Sequence, residues 1–283
     1  MSYLQRTKDI NGGSLTLVGV PIGNKDDFSP RAIDILKNSD LILCEDTRTS
    51  SLMLAPFDIH VPLRAYHLFN EGDKADEFVN LVNSGKRIAL ITDAGMPGIS
   101  DPGYLIAHKC IEEKLPVTCI PGPNAALTAL VASGLPTEHF IFYGFLDHRT
   151  SVKKKELLSL VDMPYTLIFH ETAEFLKDSL EAMLEIMGDR EACLARELTK
   201  TYEEFRRGTL SEILGMGDAK GEMILMVMGK KKDDDLLTLS IYDHYKHYVD
   251  MGYDKKEAMK IVASERSIAK NDVYQEVEKN KNK

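Results

Sequence analysis

The 283-residue sequence has no apolar run approaching the roughly 18 residues that a membrane-spanning helix needs. Its first residues, Met1-Ser2-Tyr3-Leu4-Gln5-Arg6, hold no apolar signal core, so a cytoplasmic enzyme is expected. Cysteine is scarce and scattered: Cys44, Cys110, Cys119 and Cys193 form no C-x-x-C pair and have no histidine at metal spacing. A disulfide framework and a zinc site are both excluded, and buried, reduced thiols are expected. Positive charge is in deficit, with 35 Lys and Arg against 44 Asp and Glu, a net charge of -9. That balance excludes a protein that coats nucleic acid through bulk electrostatics and leaves room only for a local basic groove. Arg149 with Lys153, Lys154 and Lys155, and the group Arg196, Lys200, Arg206 and Arg207, are the candidates. From charge alone, each reads rather as a solvated charged face. There is no complete P-loop, and the first glycine turn is not G-x-G-x-x-G, which weakens nucleoside-triphosphate and dinucleotide readings.

What is present is an alternation of short β-branched runs with helical stretches. Residues 15–20, 41–44, 88–92 and 117–120 read as buried strands bounded by turn residues. Ser29-Pro30 opens a helix as N-cap and first-turn proline, and Asp101-Pro102 is expected to open another in the same way. Strand alternating with helix predicts a mostly parallel sheet covered on both faces. A second series has strands at 140–145, 165–170, 192–196 and 223–228 and helices at 154–161, 173–187 and 210–216, while 201–209 reads as a strand of an antiparallel or mixed sheet. The run 230–235, three lysines then three aspartates, reads as a solvated hinge. Beyond it, 239–249, 255–264 and 270–278 are expected as helices, with Gly252 ending the first, Asp254 capping the second, and the last five residues frayed. The expected organisation is an α/β domain over 1–120, a second over 121–232 and a small helical extension over 236–283.

Three glycine- and proline-bearing loops follow successive strands: Gly19-Val20-Pro21-Ile22-Gly23-Asn24, residues 92–103 (Thr-Asp-Ala-Gly-Met-Pro-Gly-Ile-Ser-Asp-Pro-Gly), and Pro121-Gly122-Pro123-Asn124-Ala125-Ala126. Glycine and proline fix the backbone there and leave its polar groups open to a ligand. Three such loops on one sheet edge imply a shared cleft. Asp93 and Asp101 add fixed acceptors that suit a sulfonium, an amino group or ribose hydroxyls, while Asp101 also reads as a simple N-cap. Cys44-Glu45-Asp46-Thr47-Arg48 closes the second strand on the same edge. Asp46 or Glu45 there suits proton removal, and Arg48 a phosphate or a developing alkoxide. The alternative is an Asp-Arg ion pair with Thr47 as helix cap. His67, with Asn70 and Glu71, is a weaker candidate base than Asp46. Glu197 suits a hydrogen bond to a ligand or a pair with Arg196 or Lys200.

Together these blocks resemble the tetrapyrrole methylase superfamily of S-adenosylmethionine (SAM)-dependent enzymes, and within it the ribosomal RNA small-subunit methyltransferase I family. The resemblance also covers Tyr66-His67, Ser133-Gly134-Leu135-Pro136-Thr137, Gly144-Phe145-Leu146, Ala195-Arg196-Glu197-Leu198-Thr199-Lys200 and Arg207-Gly208-Thr209. Met96 and Gly98 stand where members often carry Thr and Leu, and Leu68-Phe69 where many carry Glu-His. The resemblance implies two α/β domains with SAM in the cleft between them, a homodimer, and 2′-O-methylation of a cytidine in the decoding region of small-subunit ribosomal RNA, presented in an assembled subunit. Implied cofactor contacts are Pro21, Gly23, Asp93, Ala94, Gly95, Met96, Pro97, Ile99, Ser100, Pro123, Asn124, Ala125, Phe169 and Glu197. Arg48, Arg64, Lys153, Lys154, Lys155, Lys200, Arg206 and Arg207 are the candidate RNA contacts; Lys255, Lys256, Lys260, Arg266 and Lys270 of the tail read equally as an extension of that surface and as a solubilising helical cap on the second domain. A methyltransferase of a tetrapyrrole precursor and a non-catalytic RNA-binding or assembly factor are the competing readings.

Overall fold

A computed structural model describes residues 3–6, 12–231 and 234–281. The described residues fall into two units, Met1–Gly229 and Lys230–Lys283. No helix among them is long and apolar enough to cross a membrane.

The first unit opens with β1 (Ser14–Val18), α1 (Pro30–Lys37), β2 (Leu41–Cys44), α2 (Thr47–Leu54), β3 (Leu63–Ala65), α3 (Glu71–Asn83), β4 (Arg87–Leu90), α4 (Tyr104–Glu112) and β5 (Val117–Ile120). The strands order as β3-β2-β4-β1-β5, and every pairing is parallel. Parallel neighbours cannot be joined by hairpins, and the helices supply the crossovers. Alternation along the strands feeds two cores. Val18, Ile42, Cys44, Ala89 and Ile91 pack with Phe28 and Leu36 on one face, and Leu15, Leu43, Ile88 and Leu90 with Phe78 and Ile106 on the other. Ser29 caps α1 as expected, its hydroxyl accepting from the Ala32 N–H at 3.1 Å. Asp101 does not cap α4, because Gly103 (φ 140°) occupies the cap position. Strand β1 ends at Val18, short of the expected residue 20, since Val20 leaves the sheet to bridge Gly95.

The chain continues through α5 (Ala125–Ser133), β6 (Phe140–Phe145), α6 (Thr150–Leu160), β7 (Thr166–Thr172), α7 (Leu176–Met187), β8 (Glu191–Arg196), β9 (Glu204–Thr209), α8 (Leu210–Gly215) and β10 (Glu222–Val227). This sheet orders as β6-β7-β10-β8-β9. Only β6 and β7 pair in parallel, so the expectation of a mixed sheet with 201–209 on it holds, with β9 starting at Glu204. One face packs on α6, α7 and α8 through Leu157, Phe169, Leu180 and Ile213. The other packs on α5 through Ile168, Ala195, Ile224 and Met226, and Ile22 from the loop after β1 joins that cluster. Cys44, Cys110 and Cys193 are buried as expected. Cys119 is exposed, because β5 is an edge strand.

The second unit comprises α9 (Asp234–Thr238), α10 (Ile241–Asp250), α11 (Lys255–Glu265) and α12 (Lys270–Lys281). Tyr245, Met259, Val262, Val273 and Val277 form its core. Asp254 caps α11 as expected, and Gly252 turns the chain with φ 94°. Residues 279–281 extend α12 instead of fraying, with Asn280 Nδ2 donating to the Glu276 carbonyl at 2.8 Å. Residues 282 and 283 of the expected frayed end, and 232 and 233 of the expected hinge, lie outside the described residues.

Candidate active site

The three glycine-bearing loops do converge, and backbone contact explains how. Gly19 and Gly122 abut, so that a Cβ on Gly19 would lie 2.7 Å from the Gly122 Cα. Val20 and Gly95 exchange two backbone hydrogen bonds, 2.9 and 3.2 Å, stitching the second loop to the first. Gly95 sits at φ 81°, a region glycine enters without penalty. Asn124 caps α5, its Oδ1 accepting from the Leu127 N–H at 2.9 Å.

These loops form one wall of a cleft of about 270 Å³, and the ends of β7, β8 and β10 form the other. Of the cofactor contacts expected from the sequence, Ala94, Gly95, Met96, Ile99, Ser100, Asn124, Ala125 and Glu197 line it. Pro21, Gly23, Asp93, Pro97 and Pro123 lie in the same loops without lining it. Gly23 instead brings the first loop against Lys200, whose Cγ would be 2.6 Å from a Cβ there. Phe169 is a correction. It is fully buried on the far face of β7 against Tyr143, and the strand's alternation turns His170 to the cleft in its place.

Sequence reasoning missed Phe145, His170, Glu222 and Ile224 as lining residues and left Asp101 outside the cofactor set. Glu222 opposes Thr172 across the antiparallel β7–β10 pairing, a register that local pattern does not reveal. Phe145 follows the β-bulge between Phe142 and Gly144, and that kink is announced only by a glycine inside a strand.

The cleft is acidic. Lys200 Nζ lies 3.2 Å from both Glu197 and Glu222, a pair of contacts that ties two strand ends together. Glu197 holds a left-handed backbone (φ 50°), a conformation that costs on the order of 1 kcal/mol for a residue with a side chain. Burial pushes the Asp101 carboxyl up to about 7, and the charges of Glu45, Asp93 and Glu222 add to the effect. Burial likewise raises Glu45 and Asp93 and lowers His170.

The block at the end of β2 has a definite local geometry. Asp46, not Thr47, caps α2: its Oδ1 accepts from the Arg48 N–H at 2.8 Å, and Arg48 Nη2 reaches Oδ2 at 3.4 Å. The Arg48 N–H and guanidinium hold the Asp46 carboxyl below the usual range. The Arg48 side chain is 91% exposed and so available to a ligand from solution. Glu45 accepts a long hydrogen bond from the Asp93 N–H, 3.4 Å, which joins this block to the second loop. His67 stands in the turn after β3, its Nε2 3.0 Å from Asn70 Nδ2.

The candidate RNA contacts divide sharply. Lys155 is exposed, and Arg64 is exposed but paired with Glu77. Lys154 pairs with Glu185 at 2.6 Å. Lys153 is a correction: it is 1% exposed, its Nζ donating to Ser179 Oγ at 2.8 Å, which in turn donates to the buried Glu171. Arg206 is committed to Glu204 and to the carbonyls of Gly217 and Asp218, and Arg207 to the carbonyls of Ala132 and Ser133 at the end of α5. Both arginines brace the fold with their donors. In the second unit, Arg266 likewise turns inward, to His244 and the carbonyls of Leu236 and Leu239.

Residues 14–214 match the family Tetrapyrrole (Corrin/Porphyrin) Methylases. The ribosomal RNA small subunit methyltransferase I of Bacillus subtilis (strain 168) is 43% identical over 284 residues, spanning 96% of this chain and 97% of that protein. The protein of the same name from Halalkalibacterium halodurans is 44% identical over 281 residues, 96% of each chain. Among solved structures, the uroporphyrin-III-C-methyltransferase of Thermus thermophilus superposes with a TM-score of 0.53 at 20% identity, over 76% of this chain and 94% of that one, which supports the fold alone. With a family match over residues 14–214 and relatives above 40% identity along nearly the whole length, this chain belongs to the ribosomal RNA small subunit methyltransferase I family of the tetrapyrrole methylases.

Proposed function

We propose that the protein transfers a methyl group from SAM to the ribose 2′-OH of a cytidine in the decoding region of small-subunit ribosomal RNA, acting on the assembled subunit in the cytoplasm. The observation that carries the reading is the acid-walled cleft formed where the matched loops at 94–101 and 124–126 meet Glu197 and Lys200.

The cleft's donor set fits SAM. Open backbone at Gly95 and the loop before α5 accommodates the nucleoside, and the carboxylates favour a cationic sulfonium and ammonium. When bound, SAM supplies an electrophilic methyl group whose thioether departs neutral, so no acid is needed for the leaving group. The protein's tasks are to align the hydroxyl, to exclude water and to accept one proton. Pro21, Gly23, Asp93, Pro97 and Pro123 shape the cofactor loops from behind. Arg48 holds a phosphate of the RNA, while Asp46 orients Arg48 and Glu45 ties it to the cofactor loop. His67 is near enough to Glu45 to act on its charge, and Arg64, Lys154, Lys155 and Lys200 complete the RNA-facing charge. The same carboxylates disfavour a tetrapyrrole precursor, which carries several carboxylates of its own.

A homodimer is part of the proposal. Leu127 and Val131, four residues apart on α5, are exposed on a helix whose other face is buried, and Val131 is 75% exposed. Sedimentation at micromolar concentration should give twice the chain mass.

The activity is tested by incubating small subunits that lack the modification with methyl-labelled SAM and the protein. Mass spectrometry of the nucleosides should yield 2′-O-methylcytidine. Label on a base, or none on RNA, overturns the reading.

A further inference from the structure

We infer that Asp101 is the proton acceptor of the methyl transfer, its carboxylate placed in the cleft by the loop between Gly98 and Gly103. The inference rests on the proposed ribose methylation and assigns within it the group that takes the hydroxyl proton.

The carboxylates around the cleft differ in how far their oxygens are committed to donors, and a base is least hindered where neither oxygen is. Asp46 spends one oxygen on the α2 cap and the other on Arg48. Glu197 and Glu222 each give one oxygen to the Lys200 ammonium, and Glu171, also on the lining, accepts from Ser179 Oγ and the Thr172 N–H. Glu45 accepts from the Asp93 N–H and does not line the cleft. Asp101 lines the cleft and has no hydrogen bond or ion pair among the described residues.

The loop that carries it is closed at its base and backed on one side. Gly98 N–H donates to the Pro102 carbonyl at 3.1 Å, and Ser100, the residue before Asp101, takes a left-handed backbone at φ 63°. Gly144, at the bulge of β6, lets the second sheet come within 3.3 Å of Ser100 Oγ, measured from where its Cβ would be. Asp101 therefore sits between the cofactor loop and the second sheet.

The charged and titratable groups around it are Glu45 from β2, Asp93 from its own loop, and Glu222, Lys200, Glu197 and His170 from the second sheet. Burial and the charges of Glu45, Asp93 and Glu222 bring its proton affinity to about 7, matched to a base working at neutral pH. In the reaction the hydroxyl oxygen forms its bond to the methyl carbon as its proton passes to Asp101. The pair of the broken C–S bond stays on the thioether, and the proton leaves Asp101 to water after release, so atoms and charge balance.

The test has two readouts. Carboxyl-carbon NMR of the full-length protein, labelled at aspartate and assigned with Asp101→Asn, should show Asp101 titrating near pH 7 and moving to lower pH in Glu222→Gln. Single-turnover methylation of small subunits should rise with pH to a plateau above neutrality. Asp101→Asn should lose about 100-fold or more in rate at saturating SAM. Glu222→Gln should shift the pH limb in the same direction as the NMR midpoint. An Asp101 midpoint below pH 5, or an Asp101→Asn rate within about threefold of the parent, overturns the assignment alone. A parent protein that transfers no methyl group to RNA overturns the activity and this assignment with it.

Discussion

Gly19 and Gly122 pack backbone to backbone where β1 and β5 end, each leaving less than 3 Å for a Cβ on the other. Around Gly122 the neighbouring atoms are all main chain of Gly19, so no rotamer change can relieve the crowding there. Gly122→Ala is expected to force the first and third loops apart. Urea unfolding should show a loss of about 1–3 kcal/mol, typical of overpacking. Calorimetric titration should show weakened SAM binding. An unchanged midpoint and affinity would mean that this contact does not set the cleft.

Lys153, Ser179 and Glu171 form a buried chain beneath β7, through 2.8 and 2.7 Å hydrogen bonds. Burial raises the Glu171 carboxyl, and Ser179, the Thr172 N–H and the Lys153 charge oppose that rise. Lys153→Ala strips the charge partner and opens a void, so a loss of about 3 kcal/mol or more is expected in thermal or urea unfolding. Subunit affinity measured well below the melting point should stay unchanged, as it should not for the exposed Lys155→Ala.

Among the described residues the Arg48 side chain is held only by its 3.4 Å contact with Asp46, worth little at so exposed a position. Arg48→Ala should leave the melting temperature within about 1 °C of the parent. It should weaken binding to small-subunit RNA and reduce the slope of log affinity against log salt by about one. A salt slope equal to the parent's would remove Arg48 from the phosphate contacts.

His244 is fully buried in the second unit, its Nε2 3.0 Å from Glu265 and its Nδ1 accepting from Arg266 Nε at 3.0 Å. Burial lowers its proton affinity below the usual 6.5, and the Arg266 and His247 charges add to this against Glu265. The unfolded state therefore binds the proton more tightly than the folded one. The resulting stability is present above about pH 6.5 and is lost as pH falls through the lowered folded value. Hydrogen exchange on the full chain should show protection of α10 to α12 falling between pH 7 and 5. That pH dependence should be absent in His244→Gln.

Local features were legible because they depend on near neighbours. Ser29 and Asp254 cap helices through bonds two or three residues away, and runs such as 41–44 and 117–120 are strands because β-branched and apolar residues suit a buried, pleated surface. The three glycine loops could be assigned to one edge, since parallel strands joined by helices bring successive strand ends together. Strand β3 and helix α3 were not legible. The first is three residues long, and the second is a polar stretch whose helical state is settled by Phe78, Val79 and Val82 docking on the sheet.

The alternation of strands and helices, the glycine-bounded loops and the family resemblance they carry thus follow from local residue pattern alone. The tertiary structure decided which charges are usable. Lys153 and Lys155 are two residues apart on one helix, yet one is buried against Ser179 and the other meets solvent. Asp46 and Asp101 are both loop aspartates, yet one is committed to a cap while the other has no hydrogen bond or ion pair among the described residues and feels the charges of Glu45, Asp93 and Glu222. Proton affinity and availability depend on desolvation and on charges brought close from distant parts of the chain. Glu222 reaches Asp101 only through the pairing of β10 with β7, a register that no local pattern encodes.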